Sequence, residues 1–172
     1  MLKNTRKGLI TPLLAGGVFL AFFLFAPTMV SAGQYVYDGT PTFTVTYPDT
    51  MTTHPENPDN LPLRLGTDGS VPILEVNVRD IPEDMTLENS GERIHQGYVK
   101  SLGSADLKQN EMITLPCGTP ANAVLVGFLF QGFFPLDSYV VSAIKDGKWV
   151  TVTVIQSDGM GMTEPADSLT FK

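Results

Sequence analysis

From residue 35 onward the chain reads as short alternations of apolar and polar residues broken by turn formers. Phe43, Val45 and Tyr47 alternate with Thr42, Thr44 and Thr46, the period of a strand with one buried face. Tyr35 to Asp38 predicts a second strand, divided from the first by Gly39-Thr40-Pro41. Thr50 to Ser70 is polar, the stretch from Pro48 through Pro62 holds four prolines in all, and the pattern predicts a long loop with a short strand around Leu61 to Leu65. The clearest alternation runs from Ile73 to Arg79, with Leu74, Val76 and Val78 on one face and Glu75, Asn77 and Arg79 on the other. One face of that strand therefore meets a core, and the other meets water, a pocket or a polar layer.

The period lengthens after Asp84. Leu87, Ile94, Tyr98 and Leu102 fall near helical spacing while Glu88, Glu92, Arg93 and Lys100 fill the polar side, which predicts a helix over 86–102. Gly91 and Gly97 weaken it, and Gly103 is placed to stop it. Asp106 to Leu115, Ala121 to Phe130, Phe134 to Lys145 and Lys148 to Ile155 then predict four strands. Val124 to Phe130 is apolar on both faces except at Gly127, as in a central strand covered on both sides. Asp146-Gly147 suits a two-residue hairpin turn, where both residues take positive φ. Phe128, Phe130, Phe133 and Phe134 are expected mostly in the core; exposed, they would mark a partner surface. No repeat or second core is visible, so 33–172 reads as one domain.

Ahead of this domain lies a different pattern. Lys3, Arg6 and Lys7 precede an uncharged, apolar run from Leu13 to Ala26, then Pro27 and the small-residue junction Val30-Ser31-Ala32. Such a run makes a helix of roughly 21 Å, short of the ~30 Å hydrocarbon core of a bilayer. The segment 1–32 therefore reads as a signal peptide cleaved between Ala32 and Gly33. The alternative is an uncleaved anchor using the uncharged stretch from Gly8 to Tyr37. The expected location is the periplasm or the extracellular space, with membrane contact only through the leader if it is retained.

The leader carries three of the 11 basic residues and none of the 18 acids, so its removal takes the formal net charge from -7 to minus ten. Such a surface repels phosphate backbones and anionic lipid, which argues against nucleic acid as a partner. About 140 residues suffice to bury a core without cross-links, and the single Cys cannot form an internal disulfide.

The order of elements resembles the PsbP-like α/β/α sandwich superfamily. The resemblance lies in "FTVTYPDT" at Phe43 to Thr50, "ILEVNVRDIP" at Ile73 to Pro82, the helix that follows, "LPCGTPA" leading into an apolar strand, the "IKDGKWVTVTV" hairpin and the closing "SLTFK". It implies an α+β fold, a mainly antiparallel sheet flanked by helices. The segment from Ser157 to Asp167 is short and Gly-rich where that superfamily usually places a final helix, which leaves one sheet face short of helical cover. The superfamily shares no catalytic residues, so the resemblance brings none to this chain.

Candidate chemistry is sparse. Cys117 has only His54 and His95 as bases for nucleophilic catalysis, and nothing in the sequence brings either to it; a thiol packed in a turn is the expectation. Met160-Gly161-Met162 has thioethers for a soft metal but few further ligands nearby. Asp49, Glu56, Asp59 and Asp68 share a loop region without calcium-loop spacing. No metal or cofactor is therefore expected. Glu75, Asn77 and Arg79 are the candidate ligand-binding residues, because they share one polar strand face that would line a cleft together with the Thr residues of neighbouring strands. The expected function is an exported, non-catalytic domain that binds a protein partner or a small ligand in the cell envelope. Its rivals are a structural subunit of an envelope complex and a hydrolase using an acid/base pair such as Glu75 and His95.

Overall fold

A computed structural model describes residues 32–172 apart from 68 and 69. Of the leader read over 1–32, residues 1–31 lie outside the described residues. Of the predicted cleavage junction, Ala32 and Gly33 are described and open the first strand.

In chain order the strands are β1 (Ala32–Tyr37), β2 (Phe43–Pro48), β3 (Thr52–Thr53), β4 (Leu63–Thr67) and β5 (Ser70–Asp80). Helix α1 (Leu87–Leu102) follows, then β6 (Asp106–Thr114), β7 (Pro120–Phe130), β8 (Phe134–Lys145) and β9 (Lys148–Ser157). A one-turn helix α2 (Glu164–Asp167) and β10 (Thr170–Phe171) close the chain. Seven strands form one antiparallel sheet in the order β3-β4-β5-β9-β8-β7-β6, and β1, β2 and β10 form a second, smaller sheet.

The valine-rich central strands bury both faces, because alternate side chains point to opposite sides of the large sheet. On one side Leu74, Val76, Val141, Val150, Val152 and Val154 share a core with Phe43, Val45 and Phe171 of the small sheet. On the other, Val124, Val126, Val140 and Trp149 pack with Ile94 and Tyr98 of α1. The final helix is thus reduced to the single turn of α2, whose Pro165 and Ala166 are buried. The small sheet takes over the cover that a longer helix would give that face.

Helix α1 starts and stops as the sequence predicts. Thr86 and Asn89 exchange side-chain-to-backbone hydrogen bonds in a capping box. Gly103 closes the helix in the left-handed conformation at φ 82°. Gly91, read from the sequence as a weak point, is buried where α1 meets β6, and a Cβ there would overlap the Asn110 side chain. The helix needs the missing side chain at that position to lie against the sheet.

The place of the phenylalanines overturns an expectation. Phe130, Phe133 and Phe134 are exposed, at 47%, 63% and 52% of their full area, and only Phe128 is half-buried, against Tyr98. The register gives the reason. Pairing of β6 with β7 begins at Gly127, and pairing of β9 with β8 ends at Leu136. The ribbon of residues 128–135 therefore runs past its flanking strands, and among the described residues only its base, at Phe128, meets the helix layer.

Candidate functional site

Helix α1 lies over β6, β7 and β8 and leaves β5 and β9 on the same face uncovered. The space beside it is a cleft of about 820 Å³. Its floor follows from the alternation read in the sequence. Glu75, Asn77 and Arg79 point away from the small-sheet core, and the antiparallel register sets them beside Thr153, Thr151 and Trp149 of β9. One wall is α1, whose Arg93, Gly97 and Ser101 follow one another at helical spacing beside Ile94, Tyr98 and Leu102. Asp59 and Leu61, from the proline-rich segment before β4, line the opposite side.

The three candidate binding residues therefore lie together in the floor of one cleft. The neighbouring-strand threonines expected beside them are Thr151 and Thr153 of β9, which alternate with core valines. What sequence reading missed is the helix wall. The contributions of Gly97 and Ser101 depend on how α1 is set over the sheet.

Each end of the floor has its own electrostatics. At one end the Arg64 Nε–Glu75 Oε1 distance is 2.9 Å, and Arg64 also donates a hydrogen bond to the Glu56 carbonyl at 2.7 Å. Burial raises the Glu75 carboxyl above its ordinary value and outweighs the lowering by Arg64. At the other end the Arg79 guanidinium stands 3.9 Å from the centroid of the Trp149 ring, a cation–π contact. Partial burial lowers its pKa, and no carboxylate among the described residues pairs with it. Trp149 is fixed from below by donating its indole N–H to Ser142 Oγ at 2.7 Å. Deep in the wall, the Tyr98 hydroxyl shares a 2.5 Å hydrogen bond with Ser138, and burial pushes it up to about 12. Burial therefore favours the neutral phenol of Tyr98 near physiological pH.

The raised Glu75 pKa gives a signed expectation. A carboxyl that binds its proton more tightly folded than unfolded loses stability as pH rises from its unfolded value through its folded one. The stability of the unmodified protein relative to Glu75→Gln is thus expected to fall between about pH 4 and about pH 7. Urea unfolding midpoints of both proteins at the two pH values measure it; a difference that grows in favour of the unmodified protein would reverse the sign.

Other sequence candidates are dispersed. His95 lies outside the cleft, with Nε2 3.2 Å from the Ala105 carbonyl, so it does not join Glu75. Cys117 is exposed rather than packed, 3.3 Å from Thr119 Oγ1. Met160 is exposed while Met162 packs on the core and donates its backbone N–H to Gln156, so the two thioethers part. Asp68 lies outside the described residues, and among those described no three His, Cys, Asp or Glu side chains gather as metal ligands. No described helix is long and apolar enough to cross a membrane.

No family model matches the sequence, and no curated protein matches it. Among solved structures the chain is similar to cyanobacterial PsbP from Synechocystis, with 14% identity and a TM-score of 0.64 over 86% of this chain and 96% of that one. The fold is PsbP-like. A Bacteroides thetaiotaomicron protein matches with 12% identity and a TM-score of 0.49, over 84% of this chain and 49% of that one. A Pseudomonas aeruginosa protein of unknown function matches with 13% identity and a TM-score of 0.46, over 73% and 83%. In this PsbP-like sandwich the cleft is the part of the α1-side face that the helix leaves open. Its lining sets the charged side chains of Asp59, Glu75, Arg79 and Arg93 beside hydrogen-bonding and apolar groups.

Proposed function

We propose that this protein is an exported, non-catalytic binding domain of the cell envelope, and that the cleft between α1 and the β5–β9 floor takes a small ligand. The observation that carries the reading is the floor itself. Asn77, Thr151 and Thr153 line the cleft with side chains that have no hydrogen-bond partner among the described residues, beside apolar surface from Leu61, Ile94 and Trp149. A concave site that sets free polar groups beside apolar surface suits the recognition of a small molecule.

Gly97 offers a direct test, because it lines the cleft and a Cβ there meets nothing within 4 Å. Nuclear magnetic resonance titration with a library of fragment-sized molecules is expected to shift residues of β5, β9 and α1, and Gly97→Phe is expected to abolish those shifts. Binding that survives in Gly97→Phe would count against the cleft. A second reading, contact with a protein partner, is favoured by Phe130, Phe133 and Phe134 at the ribbon tip. Shifts confined to residues 128–135 would support that reading instead.

A further inference from the structure

Resting on the cleft as a ligand site, we propose that its guest is a small organic monoanion, a carboxylate on an apolar body, with Arg79 and Arg93 holding the charged head. Both arginines line the cleft, and neither has a carboxylate partner among the described residues. Arg93 donates only to the Glu83 carbonyl, at 3.1 Å, and Arg79 rests on Trp149. Of the three described arginines only Arg64 has a carboxylate, at 2.9 Å. Lys100, Lys145 and Lys172 also lack one among the described residues, but they do not line the cleft. Two guanidinium forks left open in one cleft match the planar, bidentate geometry of a carboxylate.

The neighbouring residues suit such a head. Asn77 and Thr151, the next pair after Arg79 and Trp149 on the same sheet face, offer further donors. Beyond them the floor runs to Glu75, four residues and roughly 13 Å along β5 from Arg79. Ile94, Tyr98 and Leu102 supply apolar wall for the body of the ligand. At the far end Arg64 pairs with Glu75, and Asp59 lies near them as one further, uncompensated negative charge. A second anionic group there would meet like charge, and the net charge of -7 adds repulsion for every extra negative charge. The cleft therefore discriminates a monocarboxylate from both its neutral and its dianionic counterparts.

Octanoate, octan-1-ol and suberate form a matched series for the test, followed by isothermal calorimetry and by the fluorescence of Trp149, the single Trp of the chain. Octanoate is expected to bind about tenfold or more tightly than octan-1-ol, with suberate weaker than octanoate. Arg79→Gln and Arg93→Gln, checked for an unchanged unfolding midpoint, are each expected to bring octanoate down to the affinity of octan-1-ol. Equal binding of octanoate and octan-1-ol, or indifference to both arginine variants, would overturn the anion proposal. If that binding is still lost in Gly97→Phe, the cleft reading stands without it. If none of the three probes binds, or if Gly97→Phe binds them unchanged, both fall together.

Discussion

Trp149→Ala is expected to lower folding stability by about 3 to 5 kcal/mol, the usual cost of removing a large aromatic side chain from a packed site. Only 4% of Trp149 is exposed. It packs with Ile94, Val124, Val126 and Val140 in the core under α1, so its removal opens a cavity where the helix meets the sheet. The variant also leaves Ser142 Oγ without its indole donor and takes away the ring beneath Arg79. Urea unfolding followed by circular dichroism measures the loss, since the variant has no indole fluorescence. Trp149→Phe keeps an aromatic ring but not the N–H, and is expected to recover a large part of the stability. A loss below about 1 kcal/mol in the Ala variant would show that the site collapses around the gap.

The second large effect lies away from the cleft. Asp137 is 4% exposed, and its carboxylate is held by Lys108 Nζ at 2.6 Å and by the Gly159 backbone N–H at 3.1 Å. Lys108 also bonds Asp158 at 2.6 Å, so one ammonium ties β6 to β8 and to the segment that follows β9. Lys108→Met keeps the alkyl stem but strands a buried charge, at an expected cost of about 3 kcal/mol. The double variant Lys108→Met with Asp137→Asn removes both charges and is expected to regain most of that cost. Such a result identifies the loss as an uncompensated carboxylate rather than lost packing. Equal losses in the single and double variants would count against it.

The same cluster explains a residue that the sequence left as an interruption. Gly127 breaks an otherwise apolar strand, and a Cβ placed there would stand 2.5 Å from Lys108 Cε. The glycine leaves a path across β7 by which Lys108 reaches Asp137, the cross-strand neighbour of Gly127. Nothing in the local pattern of 124–130 announces a lysine from the adjacent strand. The need for glycine arises only once β6 is paired.

Local chemistry determined much of this protein directly from its sequence. Period-two alternation marked β2, β5 and β9, Thr86 and Gly103 bounded α1, and Asp146-Gly147, with φ of 49° and 72°, set the β8–β9 turn. Each of these depends on residues close in the chain, where backbone sterics and capping act without help from afar. Alternation likewise sorted Glu75, Asn77 and Arg79 onto a single face, because successive strand residues must point to opposite sides. It could not say what that face meets. The tertiary structure decided that α1 covers β6 to β8 and stops short of β5, which turns a polar strand face into the floor of a cleft. Register, a long-range property, decided that residues 128–135 outrun their neighbours and keep three phenylalanines exposed. Long-range packing likewise let the small β1-β2-β10 sheet, rather than a final helix, seal the opposite face, because burial is satisfied by any apolar layer of suitable shape.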